Sequence, residues 1–279
     1  MRPRAPLQSA RASLQSPRAS LLSARASLLT RWLEPIAASL WTLFILLSLV
    51  VGAIWAFGLG DAALGRWVPN TGLRTALSWL LLRLDALWIT LAAANAYLAL
   101  AGREGLPTAR RWGLAVLVTV VGLGWVSVVT GYPLGRIAYG QALGVKIGPV
   151  PIGLPFLWFS VMLGARELVL RLLPRLSHAR TAALAGIVGA LTDVNLEPAA
   201  AKLRGFWFWR ASVAGEPPVF DAPLQSCLVW GVATGLVVFL GRERSVVASA
   251  QPRPWKPVLI LGIFHAIFLA AHLGRAVRG

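Results

Sequence analysis

Seven apolar runs, separated by short arginine-bearing intervals, leave this chain little choice of fold. They cover about residues 36–59, 77–101 and 112–130, a fourth from near Val150 to just before Arg166, a fifth from near Thr181, then about 224–240 and 257–273. Each comes close to the ~20 residues needed to cross a hydrocarbon core of ~30 Å. Where lipid replaces water, backbone N–H and C=O groups must pair within their own segment, so such runs are helices. The strict alternation of barrel strands is absent. Composition points the same way: 13% of residues are charged and 57% hydrophobic, against roughly 25% charged in soluble domains. The expectation is an all-α, polytopic integral membrane helix bundle of about seven transmembrane helices, with residues 32–279 as a single membrane-embedded domain.

Residues 1–31 read differently. A seven-residue repeat, RAPLQSA, RASLQSP, RASLLSA, RASLLTR, places Arg4, Arg11, Arg18 and Arg25 in one register, with no acid before Glu34. This low-complexity basic arm resembles a transit peptide in composition. It also suits a surface helix on anionic lipid, or simple duplication. No chemistry is assigned to it.

The net charge of +17 does not indicate nucleic-acid binding, because the basic residues lie between apolar runs instead of forming one solvated face. In a membrane protein they set orientation and meet lipid headgroups. Seventeen Lys and Arg fall on the side of the N-terminal arm and nine on the other. The positive-inside rule therefore places the N-terminus in the cytoplasm. The lone cysteine, Cys227, excludes an intrachain disulfide and reads as a small apolar filler.

An ionisable side chain at bilayer depth costs roughly 2.5–3.5 kcal/mol on insertion scales, so each needs a reason. In the fifth run, Ala182, Gly186, Gly189, Ala190, Asp193 and Glu197 share one helical stripe. Small residues mark the face where helices approach closely. Asp193 and Glu197 then either point into the bundle as an acid pair, or cap the helix and pair with Lys202 or Arg204. Trp207, Trp209 and Phe220 follow; they form an interfacial aromatic belt, or present ring faces that stabilise a cation. Arg83 and Asp85 read as a structural ion pair or a late helix start. His265 and His272 share one face of the last run and read as satisfied bundle histidines, or as proton relays or metal ligands. Only two such ligands are visible, so no metal site is assigned. No Walker loop, GxSxG, HExxH or CxxC occurs. One Asp-x-x-x-Glu pair without a second acidic motif argues against a membrane prenyltransferase.

Two stretches resemble the membrane-bound carotenoid-biosynthesis family. In TGYPLGRIAYGQALGVKIGPVPIGLPFLWF (130–159), Gly131, Pro133, Gly135, Tyr139, Leu143, Gly144, Val150, Pro151 and Trp158 fall in step with that family's pattern. In TDVNLEPAAAKLRGFWFWRASVAGEPPVFDAPLQSCLVW (192–230), Asp193, Glu197, Pro198, Trp207, Trp209, Phe220, Pro223, Leu224, Gln225 and Trp230 do so. The resemblance runs over roughly residues 35–275, its specific motifs within the central hundred. Ser226, Cys227 and Val229 stand where the family usually has Asn, Phe and Gly; Asp221 replaces a Gly and Glu197 an Asp. An altered water site, and with it altered substrate or activity, is the expectation if that Asn positions water in relatives.

The resemblance implies cofactor-independent hydration of a terminal double bond of a linear carotenoid. The alternatives are a cyclase or isomerase using the same cation chemistry, and a non-catalytic carotenoid-binding protein. Under the hydratase reading Asp193 or Glu197 protonates the alkene and Trp207 or Trp209 faces the cation. Asp221, Gln225 or Tyr139 orients water, and Trp158, Phe220 and Trp230 complete the substrate wall. A lipophilic carotenoid, membrane lipid and other enzymes of the pathway are the expected partners. The bacterial inner (cell) membrane is the expected location.

Overall fold

The computed structural model describes residues 34–59, 61–209, 224–241 and 253–278. It divides into two compact units, 1–42 and 43–279. The basic repeat lies outside the described residues, and the first unit contributes only the start of one helix. The helices are α1 (Glu34–Phe57), α2 (Asp61–Trp67), α3 (Thr71–Glu104), α4 (Leu106–Thr130), α5 (Gly153–Leu172), α6 (His178–Glu197), α7 (Leu224–Leu240) and α8 (Lys256–Arg278). Four short strands, β1 (Ile137–Tyr139), β2 (Lys146–Ile147), β3 (Val150–Pro151) and β4 (Trp207–Trp209), form two antiparallel pairs, β1 with β4 and β2 with β3.

The chain is an all-α membrane protein. Among the described residues, α1, α3, α4, α5 and α8 are long and apolar enough to cross a bilayer. The other two expected spans are weaker: α7 is apolar but has 17 residues, and the 20-residue α6 is more polar. The polarity of the molecule is turned outside in. Phe57, Val129, Val232 and Leu228 are exposed, whereas Asp85, Asn95, Arg166, Glu167, Asp193 and Glu197 are buried. That arrangement suits lipid as the surrounding solvent.

Several expected boundaries move, each for a local reason. The fourth run does not enter its helix at Val150, because Val150 and Pro151 pair with Ile147 and Lys146 first. Nor does α5 stop before Arg166. It continues to Leu172, because Arg166 and Glu167 are buried in an ion cluster with neighbouring elements. Arg166 Nη1 lies 2.7 Å from Glu104 of α3, and Arg253, just ahead of α8, reaches Glu167 at 3.2 Å. The Arg166 guanidinium also lies 5.3 Å from the Trp112 ring centroid. Expected surface connections thus supply interior charge. α6 begins three residues early, where the Ser177 side chain accepts from the Arg180 N–H as an N-cap.

The aromatic core lies between α1, α3 and α8. Trp55, Trp88, Phe264 and Phe268 are fully buried there and meet edge-on, stacked or tilted, with centroids 4.8–6.0 Å apart.

The small-residue stripe of α6 does what its spacing predicts. A Cβ on Gly189 would lie 2.4 Å from Thr234 Oγ1, and one on Gly186 would lie 2.7 Å from the Gly231 carbonyl oxygen, both on α7. The two helices therefore meet almost backbone to backbone, which fixes α7 beside the acids at the C-terminal end of α6. Gly189→Val should loosen this contact by about 1–3 kcal/mol, the usual consequence of overpacking. The measurement is thermal unfolding of the purified protein in detergent; an unchanged midpoint would contradict the close approach.

Candidate functional site

The site is built where α6 runs out. After Glu197 the chain continues for one wide π-helical turn, Pro198–Leu203. Pro198 lacks an N–H and cannot extend the α-helical ladder, which helps the ladder widen there. The chain then reverses at Gly205, with φ of 59°, and enters β4. β4 pairs with β1 in a register that sets Tyr139 directly opposite Trp207. The ribbon closes tightly: the Gly140 N–H donates to the Phe206 carbonyl oxygen at 2.9 Å, and a Cβ on Gly140 would overlap the Gly205 carbonyl.

This return places both indoles on Glu197. Trp207 Nε1 donates to the two carboxylate oxygens at 2.9 Å each, and Trp209 Nε1 donates to Oε1. Glu197 and Trp207 are buried and Trp209 is half-buried. The belt reading is therefore overturned for Trp207. Both indoles meet the acid through their N–H edges.

Asp193, one turn earlier on α6, has a different environment. Ser226 Oγ of α7 donates to Asp193 Oδ2 at 3.1 Å, while Oδ1 is buried with no hydrogen-bond partner. Ser226 occupies the position at which the family pattern usually has Asn. Cys227, the next of the substituted positions, also hydrogen-bonds Asp193 with its side chain. Tyr139 is buried with its hydroxyl likewise unpartnered. Burial first, then Asp193 and Glu197, hold its phenol above the ordinary tyrosine range, so it stays a neutral donor and acceptor. On α5, Trp158 stacks on Trp230 of α7, with centroids 4.1 Å apart and planes at 13°. Its Nε1 is a third buried polar atom without a partner. Gln225 is half-buried in the first turn of α7. Asp221 and Phe220 lie outside the described residues.

Two expected arginine pairings are replaced by one. Arg204 does not serve Asp193 or Glu197: its Nε donates to Asp85 Oδ2 at 2.6 Å and its Nη2 to the Leu81 carbonyl at 3.0 Å. Asp85 is buried and also accepts from Trp55 Nε1 at 3.0 Å. Arg83, the expected partner of Asp85, is exposed and lies over the Trp79 ring. This buried pair ties the π-helical turn to α3 and so sets where β4 starts.

The histidines are engaged in the bundle. His265 meets Thr192 Oγ1 at 3.1 Å and Asn195 Nδ2 at 2.8 Å, and His272 meets the Asn195 carbonyl at 2.8 Å. Thr192 and Asn195 flank Asp193 in sequence, so α8 braces the acid-bearing turn of α6. Neither Thr192 nor Asn195 stands out in sequence, because short polar residues near a helix end are common.

Known proteins resemble this arrangement in sequence. Residues 84–277 match a family model described as carotenoid biosynthesis protein. The chain belongs to that family. Over 137 residues it is also 34% identical to a bisanhydrobacterioruberin hydratase of Haloarcula japonica, a match spanning 47% of this chain and 45% of that protein. No solved structure matches. The family match includes both strands of the ribbon, both acids and the Asp85–Arg204 pair.

Breaking the Asp85–Arg204 pair from one side strands the other charge. Asp85→Asn or Arg204→Met should each lower stability by about 3–5 kcal/mol. The double substitution should be milder than the sum of the two. A thermal-unfolding double-mutant cycle measures this; strict additivity would mean the two groups do not interact.

Proposed function

We propose that this chain is a carotenoid hydratase, adding water across a terminal double bond of a linear carotenoid. Asp193 carries the reading: a buried carboxyl with one oxygen held by Ser226 and the other facing no protein donor. A carboxylic acid with its proton on the unpartnered Oδ1 can deliver that proton to an alkene carbon, while Ser226 steadies Oδ2. Protonation at the less substituted carbon leaves a tertiary cation at its neighbour.

Glu197 suits a different part. Both its oxygens already accept indole N–H groups, which leaves it an electrostatic partner for the cation instead of the proton source. The stacked Trp158–Trp230 pair supplies aromatic wall nearby. Tyr139, neutral and unpartnered, orients the attacking water. The water oxygen bonds to the cation and its surplus proton passes to Ser226 Oγ. The Ser226 proton moves in turn to Asp193, which restores the acid. Atoms balance as alkene plus water giving a tertiary alcohol, with no oxidant, reductant or metal needed for the step.

Family membership supports carotenoid chemistry, and the relative's name supports hydration in particular. The test is co-expression with enzymes that make a linear carotenoid, followed by mass analysis of the pigments. The wild-type chain should add the mass of one water per reacted end. Asp193→Asn should reduce hydrated product by ~10²–10⁴-fold, the usual contribution of a general acid. A product isomeric with the substrate would mean cyclisation, and unchanged pigment with Asp193→Asn would mean Asp193 is not the acid.

The pH profile tests Tyr139 separately. Because its pKa is raised, the phenol persists above the ordinary value of about 10. The wild-type rate should therefore show no alkaline fall centred there. Tyr139→Phe should lower the whole profile without changing its shape. A wild-type limb near that value, absent in Tyr139→Phe, would count against a neutral water-orienting tyrosine.

A further inference from the structure

We infer that Gly124 of α4 is a positioning residue for the proposed reaction: it is the notch that seats the Tyr139 hydroxyl and fixes where that hydroxyl stops. The inference rests on the hydratase reading for what the hydroxyl does to water, whereas the seat itself is a matter of packing. A Cβ built on Gly124 would lie 2.9 Å from the Tyr139 hydroxyl oxygen and 3.0 Å from Val150 Cγ2. Both distances are well inside the ~3.5–4.0 Å at which non-bonded carbon atoms rest. The hydroxyl is the far end of a side chain, so a methyl group at position 124 displaces it.

The other end of the phenol is anchored by the backbone. Strand pairing sets Tyr139 opposite Trp207, and Lys146 Nζ donates to the Tyr139 carbonyl oxygen at 2.6 Å. What remains is the swing of a buried ring about its side-chain torsions. Gly124 ends that swing on the α4 side. The hydroxyl makes no hydrogen bond where it stops, so shape alone holds it, and a change of shape moves it. Placed there, it lies within electrostatic reach of both Asp193 and Glu197.

Gly124 differs from the other glycines of its helix. No atom lies within 4 Å of a Cβ built on Gly113 or Gly122, whereas Gly124 is buried under β1 and β3. Glycine inside a helix is destabilising relative to alanine, and at position 124 that cost coincides with two close approaches. One approach, by Val150, is plain clearance for β3. The other admits the only polar atom among the close neighbours of Gly124, and that atom belongs to the residue assigned to water. The two roles are separable, because the hydroxyl can be removed while Val150 stays.

The experiment is a double-mutant cycle of Gly124→Ala and Tyr139→Phe in the full-length chain, with Gly113→Ala as the control glycine. The readouts are kcat and KM for a linear carotenoid, the thermal midpoint in detergent, and the vibrational bands of the Tyr139 ring, assigned by their loss in Tyr139→Phe. Gly124→Ala should lower kcat by ~10-fold with KM nearly unchanged, since misplacing a positioned group by ~1 Å can cost up to ~10²-fold. In the Tyr139→Phe background the same substitution should cost nothing further in kcat, because the atom it displaces is gone. Gly113→Ala should match wild type. Equal losses in both backgrounds would overturn the seat and leave Gly124 as clearance for Val150. An unchanged kcat, or unchanged tyrosine bands, in Gly124→Ala would overturn it too. If Gly124→Ala fails to fold, a folded double variant supports the seat and failure of both overturns it. A wild type that adds no water sinks the hydratase reading alone. The seat is then decided by the tyrosine bands, and by whether Tyr139→Phe cancels the midpoint shift that Gly124→Ala causes.

Discussion

The site depends on one interaction, the pair of indole N–H groups converging on Glu197. A carboxylate at the end of a membrane helix can be held by solvent only if it faces water, and Glu197 does not. Hydrogen bonds to a charged group contribute about 1.5–3 kcal/mol each, so two indole donors are comparable with the insertion cost of an acid at bilayer depth. To deliver both donors the chain must widen after Pro198, turn at Gly205 and run back as a strand against β1. Tyr139 is buried because that strand exists. The position of Glu197 and the presence of the ribbon are therefore one constraint.

The second acid gains its meaning by contrast. Asp85 has an arginine and an indole, and Glu167 has arginines from its own helix and from the start of α8. Asp193 has the Ser226 hydroxyl on Oδ2, the Cys227 side chain beside it, and an Oδ1 with no hydrogen-bond partner. Buried polar groups in folded proteins are almost always hydrogen-bonded, and the exceptions call for an explanation. Asp193, Tyr139 and Trp158 each carry one such atom, among others in the described residues. The structural charges hold elements together; the Asp193 carboxyl is held by its element and left open.

Much of this was legible in the residues. Helical periodicity alone turned Asp193 and Glu197 inward, because the glycine and alanine spacing that brings α7 close defines the same face. The apolar runs anticipated the helices, but not their ends. Val150 and Pro151 look like the entry to a span and are spent in a strand pair, since extended and helical starts share the same apolar composition. Arg166 looks like the exit of a span because a lone cation reads as surface. Its counterion, Glu104, is 62 positions away, and only the fold brings the two together. Arg204 was expected to serve the nearest acids in sequence and instead serves Asp85, 119 positions earlier. Tryptophans beside a membrane helix suggest a belt by default, and only strand pairing, a non-local event, reveals that their N–H groups point at an acid.

Ser226 shows where a substitution in a motif becomes chemistry. A longer amide side chain at that position would have two donors and an acceptor, enough to hold both Asp193 and a water. Serine has a single donor, which the structure uses on Asp193 Oδ2. Its oxygen keeps acceptor capacity, so it can receive a proton from water on one side while giving one to the acid on the other. Under the proposed hydration, the water would be placed by the phenol of Tyr139 together with a hydroxyl that doubles as a proton relay. Restoring an amide would strengthen positioning and remove the relay, because an amide N–H is too weak an acid to pass its proton on. The balance between those two effects is a property of this site, set by the close α6–α7 contact that brings Ser226 to Asp193.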